Sequence, residues 1–172
     1  MLIFAGLEYD KAPERAAKLK ALRDYFKEKS EHALNMLDST GLSNAGGEHG
    51  DTLIVNSHGN QNRFAGMEAQ AFFDLLVSKG LKKNSFKKVY LMACRSGLQA
   101  QDNSIKDNFA RDFKSILTQN DFTSAVYAPR GLLSYTFHEE AKEGQTFYEI
   151  DEVYIESPER NYPLDQGLLL VL

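Results

Sequence analysis

One cysteine and four histidines supply the thiol and imidazole groups of this 172-residue chain, and two of these five residues stand at matching places. The stretch LIVNSHGN, Leu53–Asn60, is an apolar run that stops at His58, and VYLMACRSG, Val89–Gly97, is another that stops at Cys94. A thiol with an ordinary pKa of about 8.5 is only a few per cent thiolate at neutral pH. An imidazole beside it can take its proton or stabilise the thiolate, and later protonate a leaving amine. Brought together, the two residue types make a nucleophile and its base. Gly59 adds a further element, because a residue without a side chain lets a backbone N–H approach a substrate oxygen. The N–H groups of Gly59 and Cys94 would then form an oxyanion hole, each donor typically worth about 3 kcal/mol in the transition state.

Taken singly, each residue has a blander reading. A free cysteine after Leu91, Met92 and Ala93 is usually a buried small hydrophobe, and a histidine in a polar loop is usually a surface residue. The pairing at equivalent strand ends, each flanked by glycine or small polar residues, favours chemistry. Arg95, Ser96 and Gly97 also place Cys94 at an exposed turn.

The two runs need a scaffold, and the rest of the chain predicts one. Leu2–Leu7 reads as a short buried strand, followed from Ala12 by a helix with Ala12, Ala16, Leu19, Leu22 and Phe26 on one stripe and Pro13 in its first turn. His32–Leu37 continues that helix or forms a second strand. Asp38–Asp51 is a glycine-rich polar loop. Thr52–Asn56 and Lys88–Ala93 are strands, separated by a helix through Met67, Ala71, Phe72, Leu75 and Leu76 that Gly80 ends. Ser104 and Asp107 resemble a capping pair opening a helix with Ile105, Phe109, Phe113, Ile116 and Leu117 on its stripe. Ser124–Ala128 is another strand, closed by Pro129. Strands alternating with amphipathic helices predict an α/β fold with parallel strands and right-handed crossovers. Ligands bind at the carboxyl edge of such a sheet, and successive strands are usually neighbours about 4.8 Å apart. His58 and Cys94 are therefore expected within reach of one substrate. The last third alternates at Phe147, Ile150, Val153 and Ile155, predicting a hairpin or flap over Gln145–Glu156, and Gly167–Leu172 is a final strand.

Composition narrows the classes. The apolar fraction of 42% and charged fraction of 26% are those of an ordinary globular protein, and 172 residues fit one domain. A net charge of −4 gives no reason to expect nucleic acid or an anionic membrane as partner. One cysteine forms no internal disulfide, which makes a reducing compartment the default. The start lacks the basic region and apolar length of a signal peptide, and no run approaches the roughly eighteen residues of a membrane helix.

The strand ends LIVNSHG and VYLMAC resemble the signature of clan CD cysteine peptidases, the group of caspases, legumains, gingipains, separase and clostripain. Phe64–Gly66 and the strand SAVYAPRG are most similar to the self-processing cysteine protease domain of RTX and large clostridial toxins. The resemblance covers residues 52–131. It implies a caspase-like three-layer α/β/α sandwich with a mostly parallel sheet of about six strands and a C-terminal β-hairpin or flap. Residues 1–172 would be one such domain, with a core over 1–137 and the acidic flap and final strand over 138–172. Cys94 would be the nucleophile, His58 the general acid/base, Gly59 and Cys94 the oxyanion donors. Ala128, Pro129 and Arg130 would lie near the substrate's first residue: an inward Arg130 favours an acidic one, an outward Arg130 the leucine that the toxin domains prefer.

Two departures bear on that resemblance. The toxin domains are activated by inositol hexakisphosphate beside their flap, whereas His138–Asp165 here carries nine acidic residues against Lys142 and Arg160, a segment that repels a polyanion. The cluster Lys79, Lys82, Lys83, Lys87 and Lys88 falls at the opposite edge and reads as a solvated surface. The toxin domains also cut just upstream of themselves; here the first strand starts at Leu2, so the enzyme acts on other proteins or its leader lies outside this sequence. No metal or cofactor is expected: His49 with Glu48 and Asp51 lacks a ligand spacing, and His32 and His138 read as surface residues. Asp102 and Asp107 line a pocket for a basic residue or serve as loop and cap residues. The expected function is a cysteine endopeptidase acting on protein or peptide substrates through a thioester, in the cytoplasm or delivered into another cell. The alternatives are a catalytically silent interaction scaffold and a non-peptidase cysteine amidase or acyl transferase. The oligomeric state is left open.

Overall fold

The structure, a computed structural model, describes residues 2–6, 12–26, 32–35, 51–83, 85–97 and 108–172. Along the chain these form β1 (Leu2–Gly6), α1 (Ala12–Phe26), β2 (His32–Asn35), β3 (Thr52–Ser57), α2 (Ala69–Ser78), β4 (Lys88–Met92), α3 (Phe109–Gln119) and β5 (Ala125–Pro129). Then come β6 (Leu132–Lys142), β7 (Gln145–Glu156), β8 (Asn161–Pro163), the single turn α4 (Leu164–Gly167) and β9 (Leu168–Leu170). The protein is α/β. Its main sheet has six strands in the order β2-β1-β3-β4-β5-β9, parallel except for β9, which runs antiparallel to β5. The stretch at His32 is thus a strand, not an extension of α1.

The apolar runs become central strands because a strand covered on both faces has no place for a polar side chain in its middle. Leu53, Ile54 and Val55 of β3 and Leu91 and Met92 of β4 are all fully buried. Side chains alternate across a strand, so β3 feeds two cores. Leu53 and Val55 join Phe72, Phe73 and Leu76 of α2 and Phe109, Phe113 and Leu117 of α3 on one face. Ile54 joins Leu22 of α1, Met92, Leu133, Ile155, Tyr162 and Leu164 on the other. Helix α3 opens at Asn108, whose side chain accepts from the Arg111 N–H at 3.2 Å, the usual work of an N-cap asparagine. Ser104 and Asp107, expected as the cap, lie outside the described residues, as do Asp102, His49 and most of the glycine-rich loop.

The C-terminal β segment is larger than its alternating pattern announces. β6 and β7 form a long hairpin and β8 adds a short third strand, making a separate antiparallel sheet. β6 starts at Leu132 and runs through position 138, across the boundary expected between core and flap. Leu132–Tyr135 reads as core in the sequence because its base does pack there: Leu133 pairs with Ile155, and both belong to the α1-side core. Among the described residues, no helix is long and apolar enough to cross a membrane.

Candidate active site

Register places the two reactive residues. Asn56 pairs with Met92 in the parallel β3–β4 ladder. His58 and Cys94 each follow two residues later, leaving neighbouring strands at one level of the carboxyl edge, where strands stand about 4.8 Å apart. On the other side of β3 lies β1, with Gly6 opposite Ser57. The strand order reverses between β1 and β3, and open α/β sheets bind ligands outside the strand ends at such a switch point. His58 follows β3 at that point.

Backbone contacts then tie the two strand ends together. A Cβ built on Gly59 would stand 2.9 Å from the Ala93 Cβ and 2.8 Å from the Arg63 carbonyl oxygen, closer than real Cβ contacts. Only glycine fits there, and its neighbours carry the imidazole and the thiol. The His58 loop is closed by the Ala65 N–H on the His58 carbonyl and the Asn60 N–H on the Arg63 carbonyl, each at 2.8 Å. Phe64 pins that loop into the core, its ring 4.8 Å from Phe72 and 5.5 Å from Phe109. On the other side, the buried Ser96 hydroxyl donates to the Leu91 and Ala93 carbonyls at 3.1 and 3.0 Å. Helix α3 joins the two loops: Phe109 N–H donates to the Gln61 carbonyl at 2.6 Å and Ala110 N–H to the Ser96 carbonyl at 3.3 Å.

The end of β5 and the start of β6 support the cysteine turn. Arg95, at φ 57°, donates its N–H to the Gly131 carbonyl at 2.7 Å, and Gly97 donates to the Pro129 carbonyl at 2.9 Å. A side chain at Gly97 would strike Ala128, with three atoms between 2.7 and 2.8 Å. Cys94 is half-buried, and its thiol lies 3.6 Å from the Leu133 carbonyl oxygen. His58 is exposed. Among the described residues, neither the Gly59 nor the Cys94 backbone N–H has an acceptor, the state in which such donors can receive a ligand oxygen. Asn56 is buried, on the face of Ile54 and Cys94, and its Nδ2 has no partner among the described residues.

The residues expected near the substrate divide. Ala128 is fully buried beneath Gly97 and Pro129 is buried, so neither presents a surface to a ligand. Arg130 is partly exposed, and its guanidinium lies 4.6 Å from the centre of the Tyr162 ring, with that of Arg160 at 4.4 Å. Arg130 therefore points to Tyr162, a residue of β8. Of the lysine cluster, Lys83 pairs with Asp121 at 2.8 Å and Lys87 with Asp51 at 2.7 Å, in keeping with a solvated edge. A concavity of about 480 Å³ opens beside the His58 loop, lined by Asn62, Arg63, Glu68, Gln70 and Asp112. Neither His58 nor Cys94 lines it.

Sequence reasoning missed Asn56 and the Leu133 carbonyl, which depend on strand register and on the hairpin base, and no local pattern encodes either. Ser96 and Gly97, expected with Arg95 at an exposed turn, are buried, because the Ser96 hydroxyl turns back to the strand carbonyls and Gly97 packs on Ala128; only Arg95 is exposed. His138, read as a surface residue, is exposed but sits among Asp151, Glu149 and Glu140, and Asp151 raises its pKa above the ordinary imidazole value. No family model matches this chain, and no curated protein or solved structure matches it either.

Proposed function

We propose that this protein is a cysteine endopeptidase of caspase-like, three-layer architecture, with Cys94 as nucleophile and His58 as general acid/base. The observation that carries the reading is the β3–β4 register, which puts both residues at equivalent strand-end positions, with Gly59 packed on Ala93. Helix α1 on one face of the sheet and α2 and α3 on the other support the architecture.

The reaction follows from those groups. The Cys94 thiol gives its proton to His58, and sulfur attacks the carbonyl carbon of the peptide bond. The carbonyl π pair moves onto oxygen, held by the N–H groups of Gly59 and Cys94. Collapse expels the amine, which takes the proton from the His58 imidazolium and leaves a thioester on Cys94. Water then loses a proton to His58 and attacks the thioester carbon; sulfur departs, regains its proton, and the acid is released. The hairpin's surplus of carboxylates speaks against inositol hexakisphosphate as activator. Arg130 is the residue at the end of β5 with a surface to offer the substrate.

A second reading rests on one contact. The Cys94 thiol lies 3.6 Å from the Leu133 carbonyl oxygen, an acceptor that is not a base, as in a silent scaffold. Cleavage of a proteome-derived peptide library by the wild type, beside Cys94→Ala, separates the two. Cuts made by the wild type alone support the endopeptidase. No cuts, together with alkylation of Cys94 by iodoacetamide no faster than that of a free thiol, would establish the scaffold.

A further inference from the structure

One face of the β6–β7 hairpin carries a second group of chemistry-bearing side chains. His138 stands opposite Glu149 in the antiparallel register, and Glu140 lies two residues along the same strand, so all three share a face. The register shifts between Thr136 and Phe137: Thr136 pairs with Glu152 and Phe137 with Ile150. Asp151 is the extra residue of this bulge, and bulges re-aim side chains. Here the bulge brings Asp151 Oδ1 to 3.1 Å from His138 Nδ1. On the other side of the ring, Glu149 Oε2 stands 3.6 Å from Nε2. The ligand-capable atoms of His138, Glu140 and Glu149 all lie within 4.8 Å of one another.

We propose that His138, Glu140 and Glu149 form a site for a first-row divalent cation of the Zn(II) type, with Asp151 orienting the imidazole. The two sides of the ring differ in the way a ligating histidine requires. A metal-bound histidine donates its second ring N–H to a carboxylate, which fixes the tautomer and turns the other nitrogen to the metal. The 3.1 Å contact from Nδ1 to Asp151 is such a bond. The 3.6 Å gap from Nε2 to Glu149 is too long for a hydrogen bond. It is close to the separation of roughly 3.4 Å between two atoms that each sit about 2.1 Å from one tetrahedral ion. Three carboxylates around one imidazole also leave negative charge that Lys142, paired with Glu140, offsets only in part.

An imidazole with carboxylates selects zinc, nickel or a similar ion over calcium and magnesium, which prefer oxygen alone. His138 and Glu149 are exposed, which gives an ion access from solvent. The effect would be mechanical. A two-stranded ribbon is marginal by itself, and β8 supports β7 only at Tyr154–Glu156. A cation bound to His138 and Glu149 would clamp the two strands beyond that support.

Titration calorimetry with Zn(II) tests the site, on the full chain carrying Cys94→Ala so that no thiol competes. One ion per chain is expected, with binding weakened at least tenfold by His138→Gln and about 10- to 100-fold by Asp151→Asn. Mg(II) at the same concentration should give no heat, and Ni(II) should broaden the ring proton signals of His138 in the NMR spectrum. Should His138→Gln fail to fold, Glu149→Gln supplies the same comparison. Undiminished binding by the variants, or no zinc binding at millimolar concentration, overturns the proposal.

Discussion

The cysteine turn and the His138 cluster both set reactive side chains at strand positions, yet they are held in opposite ways. Around Cys94, the backbone is fixed from four directions: Ser96 to β4, Gly97 and Arg95 to the β5–β6 link, α3 to both loops, and Gly59 against Ala93. Nearly everything that positions the thiol is buried. On the hairpin, His138, Glu149 and Asp151 are exposed and positioned by one pair of strands and a bulge. A reacting atom must sit within a few tenths of an ångström of its target, and only packed elements hold it so. A metal ligand can close on its ion from a looser start. The difference matches what the proposed covalent chemistry needs at the first region and what the proposed ligand capture needs at the second.

That contrast breaks most directly at the nucleophile. Cys94→Ala should lower kcat/KM for peptide hydrolysis at least 10³-fold, while chemical denaturation should show stability changed by less than about 1 kcal/mol, since a half-buried thiol loses little. If the variant kept its activity, the strand-end site would lose its chemistry and the hairpin would become the more interesting region. Gly59→Ala is the next largest. Its new methyl must displace Ala93 or the Arg63 carbonyl, so a loss of about 1–3 kcal/mol is expected. The accompanying shift of His58 relative to Cys94 should cost about 10²-fold in kcat. Full activity in Gly59→Ala would mean that the tight approach serves packing alone.

How far each region could be read in the sequence follows the same divide. LIVNSH and VYLMAC announce their strands because buried parallel strands are continuous apolar runs, and the topology then does the rest: sequential strands became neighbours, and the positions after them fell together. The helix through Phe72 and Leu76 and the one through Phe113 and Leu117 were legible for a related reason, a stripe that must face a core. The hairpin's chemistry was not legible. His138 and Glu149 are eleven residues apart in the sequence, and only the register and the bulge at Asp151 bring them together. Ala128 erred the other way. Its position at the end of β5 was anticipated, but Gly97 lies over it, and burial of that kind depends on how one turn stacks on another.

Ser96→Ala and Asn108→Ala sharpen the comparison at the smaller scale. Ser96 holds two carbonyls in a buried setting, so its loss leaves acceptors unsatisfied and should cost about 1–2 kcal/mol in urea unfolding. Asn108→Ala removes the α3 cap, with an expected loss of about 1 kcal/mol. Because α3 binds both loops through Phe109 and Ala110, each variant should also reduce kcat more than it raises KM. A pure change in KM would show that α3 stabilises the fold without orienting the dyad.

The smallest effect belongs to the hairpin and is diagnostic for that reason. His138 is half-exposed, and its ion pairs with Asp151 and Glu149 lie in solvent, where such pairs contribute about 0–1 kcal/mol. Without added metal, His138→Gln should therefore leave unfolding stability and peptide hydrolysis within error of the wild type. With Zn(II) present, wild type should melt at a higher temperature and His138→Gln should not, because an ion that binds only the folded state stabilises it by mass action. A variant that lost stability without metal would show that the hairpin, like the cysteine turn, is held by its side chains. The distinction between a packed site and a capture site would then fail at the one residue that defines it.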